Sequence, residues 1–496
     1  MIFELLYAVI WIVLFFLGIR AKFIFKNNVE LNILTGFGFL IKSIATMLLI
    51  LIYQKFAPSS NLFVDSIAYM NDTAQLNQVF KTSPVAYFKL LTGIGETNDL
   101  VLKHLSETNL WDAGSAMYND SKNVVRFNSL IYFLSQGNIF VHVVFMSFFS
   151  TLGIRLLVVS FKNYVSAYKT LFFVLLFLIP SVFISTGGVL KEPFLILGIG
   201  LFLNAILAQN SSKLKWITLC LGLVLLISIK PYTFFIILLA LSFYPFSKFV
   251  FPSRTGISLM LFFITIVLLF LSVKPIRNNT IRQISKKQLD MERIANGGLY
   301  ALTEEKSPKH IYFRIEDLNK VLIENDSFKI IASVQVGMGT EDIWEDFNLV
   351  EMQPSDKKWK ILALFPQKAT SYFHTTPIRN STSKFLLAIP EAFVNGLLRP
   401  FPFDSGSSYI YPAMLEVYFC IGMLIFAIIN RKKLTDFEKR IIGALLIFIV
   451  FSLILVGFTT PVIGALVRYR ISAYIALIII SFILFKIPEK WKNRIQ

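Results

Sequence analysis

A short acidic motif, N-L-F-V-D-S-I-A-Y-M-N-D-T at residues 61–73, combines two carboxylates and a phenol at helical spacing. In a helix, Asp65, Tyr69 and Asp72 would stand at i, i+4 and i+7 and share one face. Such a group could take a proton from a sugar hydroxyl or hold a divalent cation against a diphosphate. It also fits a solvated loop helix that Asp65 caps, so the motif alone leaves these roles open.

A second motif, P-S-V-F-I-S-T-G-G-V-L-K-E-P at residues 180–193, contains prolines and glycines that predict a tight turn between two helices. Lys191 and Glu192 either cap this turn as a pair or belong to a site, since ionisable groups at membrane depth are functional candidates. Lys191 suits a phosphate because its ammonium is a compact point charge.

Later motifs add further cations. Lys230 begins K-P-Y, Arg399 lies in R-P-F-P-F, and R-Y-R contains Arg468 and Arg470. A planar guanidinium can engage a phosphate through two parallel hydrogen bonds. Residues two apart in a helix point about 200° away from each other. We therefore expect Arg468 to face a phosphate and Arg470 to snorkel to the membrane interface from within an uninterrupted helix.

Several common catalytic motifs are absent from the sequence. It contains no G-x-x-x-x-G-K-[ST], H-E-x-x-H or G-x-S-x-G, and its four histidines are scattered. Cys220 and Cys420 lie within apolar runs, which argues against a disulfide framework or a metal cluster. Hydrolysis of ATP by a P-loop and zinc-dependent hydrolysis therefore have no support.

The elements that must position these motifs are membrane-spanning helices. Of the 496 residues, 55% are hydrophobic and only 16% are charged, whereas about a quarter are charged in an average soluble protein. This composition predicts an all-α, polytopic transmembrane bundle in the lipid bilayer. About eleven windows are long enough to span it, near residues 3–19, 33–53, 138–160, 170–186, 194–208, 215–229, 232–247, 256–273, 411–429, 441–458 and 463–485.

Two long segments, 54–137 and 274–410, interrupt the apolar windows. A structureless loop of such length is improbable, so we expect each to fold into short helices over the outer membrane face. The helical spacing of residues 285–305 supports this for the second segment. The chain would then comprise 1–53 (two spans), 54–137 (with the candidate catalytic Asp65), 138–273 (spans three to eight), 274–410, and 411–496 (three spans and a basic tail).

The distribution of lysine and arginine predicts the orientation. If the N-terminus lies outside, every cytoplasmic loop is basic, as the positive-inside rule requires. The net charge of +18 is thereby explained without a nucleic-acid partner. The first apolar stretch carries its acidic residue before it and its basic residues after it, opposite to a signal peptide. These patterns favour a multi-pass protein of the bacterial inner membrane with a cytoplasmic C-terminus.

Together, the D-x-x-x-Y pattern of Asp65 and Tyr69, the S-T-G-G-V-L-K-E hairpin and the late R-P-F and R-Y-R elements resemble the GT-C superfamily of integral membrane glycosyltransferases. Their order is similar to that in membrane proteins of Bacteroidetes-type bacteria. The resemblance implies a polyprenyl-phosphate-linked sugar donor, a glycan or protein acceptor outside the cytoplasm, and Asp65 as the catalytic base. The sequence departs from the common pattern by placing two spans before that aspartate.

The leading functional hypothesis is therefore a transferase in which Asp65 deprotonates the acceptor. Lys191, Arg399, and Arg468 or Arg470 would neutralise the leaving lipid phosphate, because fixed cations aimed at developing charge supply much of such catalysis. One alternative is a surface-polysaccharide polymerase that depends mainly on the arginines. Another is a transporter or flippase for a lipid-linked glycan, which should place its polar residues in broken helices near the bilayer midplane.

Overall fold

The fold is predominantly helical, with one β-sheet inserted between two sets of apolar helices. In this computed structural model the described residues are 2–20, 29–56, 64–106, 108, 111, 120–165, 168–207, 213–302, 310–324, 327–339, 348–404 and 410–486. The start of the acidic motif at residues 61–63, the basic residues within 21–28 and the tail after 486 lie outside these ranges.

Fifteen helices are described before the sheet: α1 (Ile2–Arg20), α2 (Val29–Phe56), α3 (Val64–Thr82), α4 (Pro84–Thr92), α5 (Asn98–Leu105), α6 (Ser121–Ser135), α7 (Ile139–Ser160), α8 (Lys162–Val165), α9 (Lys169–Leu178), α10 (Pro180–Ser185), α11 (Glu192–Leu207), α12 (Lys213–Ile229), α13 (Pro231–Val250), α14 (Thr255–Ser272) and α15 (Lys274–Asn296). Helices α3 to α6 form the described part of the segment 54–137, where short helices were expected.

The sheet consists of β1 (Gly298–Leu302), β2 (His310–Arg314), β3 (Val321–Glu324), β4 (Ser327–Ile330), β5 (Val334–Gly339), β6 (Asn348–Met352) and β7 (Ser355–Phe365). Five helices follow the sheet: α16 (Thr382–Leu398), α17 (Ile410–Ile429), α18 (Asp436–Thr459), α19 (Ile463–Tyr469) and α20 (Ile471–Leu484).

Seven described helices are long and apolar enough to span a membrane: α1, α2, α7, α13, α14, α17 and α18. The pair α19 and α20, bent by 50°, would provide an eighth span. The windows expected at 170–186, 194–208 and 215–229 correspond to shorter or broken helices. Of these, α9, α11 and α12 have 10, 16 and 17 residues, fewer than the roughly 20 that a spanning helix needs. A polytopic helical fold is confirmed, but the count of eleven spans is not.

Glycines set the closest helix contacts in the bundle. A side chain at Gly153 of α7 would clash with the backbone of α11 at Ile196. Likewise, a side chain at Gly457 of α18 would clash with the carbonyl of Ala392 in α16, and one at Gly396 of α16 with the carbonyl of Leu453 in α18. Small residues at such crossings allow apolar helices to pack with their backbones in contact.

The prediction that segment 274–410 is mainly helical is wrong for its centre. Its seven strands form an antiparallel sheet in the order β3-β4-β7-β1-β2-β5-β6. Helical spacing continues only to Asn296, because Gly297 and Gly298 have φ values of 76° and 131° that end α15. Apolar side chains of successive strands then gather in one buried layer, which includes Leu299, Ile311, Phe313, Phe328 and Val336.

The chain returns from the sheet to the bundle beside the start of α19. Tyr372 forms an isolated antiparallel bridge with Val462. The amide of Phe373 donates to the carbonyl of Pro461 at 2.9 Å, and the amide of Ile463 donates to the carbonyl of Ser371 at 3.1 Å. This backbone pairing fixes the entry to the short helix that carries Arg468.

Candidate functional site

Two of the predicted site residues, Asp65 and Arg468, form an ion pair. Asp65 lies in the first turn of α3, and its Oδ2 accepts a hydrogen bond from Nη1 of Arg468 at 2.8 Å. The Asp65 side chain is 51% exposed and that of Arg468 is 23% exposed. A ligand can therefore reach this ion pair without displacing the core.

A second ion pair joins Lys191 to Asp120, with Nζ 2.5 Å from Oδ1. Lys191 closes the turn before α11, and Asp120 directly precedes α6. Burial acts to lower the pKa of Lys191, but the negative charge of Asp120 and its hydrogen bond outweigh it and leave that pKa above its ordinary value. The ammonium therefore stays charged.

Tyr69 contributes a neutral phenol next to these charges. Its hydroxyl donates to Oγ of Ser121 at 3.3 Å. Burial raises the pKa of Tyr69 to about 12, although the positive charge of Lys191 opposes the shift. At neutral pH this tyrosine is consequently a hydrogen-bond donor and not a base.

The third ion pair is the most buried. Lys230 precedes α13 and its Nζ lies 3.3 Å from Oε1 of Glu192 in the first turn of α11, with both side chains at most 3% exposed. The same ammonium stands 4.5 Å from the ring centroid of Tyr469. Pro231, at the first position of α13, suits the abrupt turn out of α12. Two buried charges at this depth stabilise each other only as a pair.

Electrostatic interactions connect the three pairs into one group. They link Arg468 with Glu192, Tyr469 with Lys191, and Tyr232 with Asp120. We call this group the ion-pair cluster. It balances three carboxylates with three cations, and it consists of Asp65, Tyr69, Asp120, Lys191, Glu192, Lys230, Tyr232, Arg468 and Tyr469.

Six of the residues predicted from sequence lie in this cluster: Asp65, Tyr69, Lys191, Glu192, Lys230 and Arg468. The pairing differs from the suggested Lys191–Glu192 cap, because each has a partner on another element. The sequence reasoning missed Asp120, since an aspartate before a helix usually reads as a cap. Tyr232 and Tyr469 stand in the K-P-Y and R-Y-R motifs, but the sequence indicated no role for either.

Asp72 does not share the exposed position of Asp65. It is fully buried along α3, whereas Asp65 is half exposed. Among the described residues, no group of three or more histidine, cysteine, aspartate or glutamate side chains could hold a metal ion. A divalent cation bridging Asp65 and Asp72 would thus lack a third such ligand in this part of the chain.

Arg399 has partners of its own, outside the cluster. Its guanidinium pairs with Asp404, and its Nε donates to Oδ1 of Asn395 at 2.8 Å. It also stacks over Phe373, 4.1 Å from the ring centroid. The structure therefore does not place Arg399 with the residues it was expected to assist.

Arg470 is likewise separate from the cluster and is completely buried, so the snorkelling prediction is wrong. Its Nη1 donates to the carbonyl of Arg399, and the guanidinium lies 4.5 Å from the ring centroid of Tyr474. The expected uninterrupted helix is also wrong, because Arg470 occupies the bend between α19 and α20. Arg468 and Arg470 consequently point to different partners.

The predicted hairpin before α11 is held by contacts from two other helices. Glu416 of α17 accepts hydrogen bonds from the amide and the hydroxyl of Ser181 at 2.8 and 2.7 Å, which caps α10. A side chain at Gly187 would clash with the side chain of Thr46 in α2, so this glycine lets α2 pack closely against the turn. The ammonium of Lys42 in α2 donates to Thr186. Lys191 is therefore presented from a rigid turn.

The long apolar helices, with the ion-pair cluster at their ends, are those of a polytopic α-helical membrane protein. Comparison of the chain with protein-family models, with curated proteins and with solved structures gives no match. The arrangement of the site itself must therefore support any statement of function.

Proposed function

We propose that the ion-pair cluster is the active site of a GT-C-like membrane glycosyltransferase that uses a polyprenyl-phosphate-linked sugar. The observation that supports this best is the half-exposed pair of Asp65 and Arg468 next to Lys191 and Lys230. A donor with a lipid tail and a phosphate needs apolar helices beside fixed cations. An acceptor hydroxyl needs a carboxylate that substrate can reach.

In the proposed reaction the donor phosphate binds the guanidinium of Arg468 and displaces Asp65 from it. Asp65 then loses its partner and can accept the proton of the acceptor hydroxyl, whose oxygen attacks the anomeric carbon. The bond from that carbon to the phosphate oxygen breaks, and the polyprenyl phosphate leaves with its new charge near Arg468 and Lys191. Because the resting cluster is neutral, donor binding and activation of the base are coupled.

The charge distribution of the loops supports placing this reaction on the extracytoplasmic side of the bacterial inner membrane. The acceptor would then be a glycan or a protein outside the cytoplasm. A surface-polysaccharide polymerase would use the same cations but would depend less on Asp65.

The test compares Asp65→Asn with Asp99→Asn, a matched change of an exposed carboxylate on α5. A purified protein would be supplied with a short-chain polyprenyl phosphate-linked hexose, and release of polyprenyl phosphate would be followed together with glycan product in cells. We expect Asp65→Asn to lower the rate by about a hundredfold to ten-thousandfold, as removal of a general base does. Asp99→Asn should match the wild type. Near-normal turnover by Asp65→Asn at normal membrane abundance would refute the role of Asp65 and favour the polymerase.

A lipid-linked glycan transporter is a second candidate, favoured by one observation. The chain breaks between α9 and α10 and bends by 50° between α19 and α20, and broken helices often line transporter sites. Reconstitution in vesicles separates the two candidates. A transporter would move labelled glycolipid between leaflets without releasing polyprenyl phosphate, whereas the transferase would release it.

A further inference from the structure

A mainly apolar cavity of about 430 Å³ lies between α7, α11, α13, α18 and α20. Its volume falls in the range of about 300–1,000 Å³ that is typical of ligand pockets. Its walls include Leu203, Ile237, Ala444 and Ile475. These residues offer packing surface to a hydrocarbon chain and almost no hydrogen bonds.

The cavity is distant from the ion-pair cluster. Glu192 and Lys230 stand at the beginnings of α11 and α13, whereas the cavity is lined by later residues of the same helices, as far as Leu207 and Tyr244. The helical rise from Lys230 to Ile237, the first lining residue of α13, corresponds to about 10 Å, and the rise to Tyr244 to about 20 Å. The cavity is therefore a separate site toward the opposite end of the bundle.

One cation lies in the wall of the cavity. Arg440 of α18 donates through Nη2 to the carbonyl of Pro252 at 2.9 Å, and its guanidinium is 5.9 Å from the ring centroid of Tyr244. Its Nε is buried and has no hydrogen-bond partner among the described residues. The contact to Pro252 thus holds the guanidinium in the cavity wall, where its buried Nε has no hydrogen-bond partner.

The same end of the bundle carries further basic residues. Lys248 and Arg254 flank the turn that contains Pro252, and Arg431 and Lys433 precede α18, all with exposed side chains. Each basic group near a membrane surface contributes about 1 kcal/mol to the attraction of anionic lipid. An apolar cavity with an arginine in its wall and a basic rim matches a ligand with a hydrocarbon chain and an anionic headgroup.

We propose that this cavity binds one hydrocarbon chain of an anionic phospholipid from the bilayer, with the lipid phosphate held by Arg440. The inference is independent of the proposed glycosyltransferase activity. A sugar donor whose phosphate was held by Arg440 would have its reactive carbon beside Tyr244, about 20 Å along α13 from Lys230. A bilayer phospholipid, which need not react, is consistent with that separation.

The test measures lipid binding to delipidated full-length protein by native mass spectrometry, with phosphatidylglycerol and phosphatidylcholine of identical chains. The wild type should prefer phosphatidylglycerol. Arg440→Gln should bind phosphatidylglycerol about fivefold more weakly, because one basic group is lost. Phosphatidylcholine should lose less, because its choline already neutralises the phosphate that Arg440 holds. Arg440→Lys should retain part of the preference. Arg314→Gln, an exposed arginine of β2 outside both the cavity wall and its basic rim, is the matched control and should behave as wild type.

Filling the cavity provides an independent variant. Ala444→Phe should reduce binding of both lipids, and Leu203→Phe does the same from α11 if the first variant fails to fold. Equal binding of the two lipids by the wild type would overturn the proposal, as would equal losses in Arg440→Gln and Arg314→Gln. Undecaprenyl phosphate serves as a competitor, and its displacement of phosphatidylglycerol at equimolar concentration would assign the cavity to the polyprenyl lipid instead.

Discussion

Arg468 and Arg470 are two positions apart in the sequence but have different environments and partners. Arg468 meets a half-exposed carboxylate, whereas Arg470 is buried and bonded to the carbonyl of Arg399 at the end of α16. A lysine at either position keeps the charge but loses the planar fork. The two substitutions should therefore fail in different ways.

We expect Arg468→Lys to lower transfer activity while membrane abundance and thermal stability stay near wild type. Arg470→Lys should lower thermal stability, because a buried carbonyl contact is lost in a region that water does not reach. Activity per folded molecule and the midpoint of thermal unfolding in detergent distinguish these results. Two silent substitutions would remove the phosphate-binding role of Arg468, and an unchanged midpoint for Arg470→Lys would contradict its structural role.

The buried pair of Glu192 and Lys230 makes a second prediction at this scale. Removing one partner leaves an uncompensated buried charge and costs about 3–5 kcal/mol, whereas replacing both with apolar groups is often neutral. Glu192→Met and Lys230→Met should each lower the unfolding midpoint, and the double variant should recover much of the loss. Additive losses in this cycle would show that the pair is not coupled.

At the scale of elements, glycines decide how closely helices approach. Gly457 of α18 packs against the backbone of α16, whereas a side chain at Gly422 of α17 would meet nothing within 4 Å. We expect Gly457→Ala to destabilise the protein by about 1–3 kcal/mol through overpacking. Gly422→Ala should be neutral or stabilising by up to about 1 kcal/mol, because alanine suits a helix interior. The unfolding midpoints of the two variants measure this difference, and equal midpoints would refute the packing argument.

The sequence predicts those elements whose signals are local. The spacing of Asp65 and Tyr69 predicts α3, and the prolines and glycines of residues 180–193 predict the turn before α11. The sheet was missed because the helical spacing read over residues 285–305 spans the real end of α15 at Asn296, and because six of the seven strands have only four to six residues. The partner of Lys191 was missed because Asp120 carries no motif, and only the tertiary fold brings the start of α6 beside the turn before α11.

At the scale of the whole molecule, the distribution of basic residues predicts which side of the membrane each end of the bundle faces. Asn279 lies on the exposed side of α15, and Lys433 lies in the basic turn before α18. With Cys220 and Cys420 replaced, a single cysteine at Asn279 should react with an impermeant thiol reagent in cells whose outer layer is permeabilised. A cysteine at Lys433 should react only after the inner membrane is opened. Equal labelling of both in intact spheroplasts would refute the orientation and the proposed side of the reaction.

The ion pair of Asp65 and Arg468 joins residues 403 positions apart. At a synthesis rate of about 5–20 residues per second, the ribosome needs about 20–80 s to make the chain between them. During that interval the helices around Asp65 have been synthesised, whereas Arg468 has not. The proposed site is therefore completed only with the last helices, so we expect a chain that stops before residue 468 to lack the proposed transfer activity, however well its earlier helices insert.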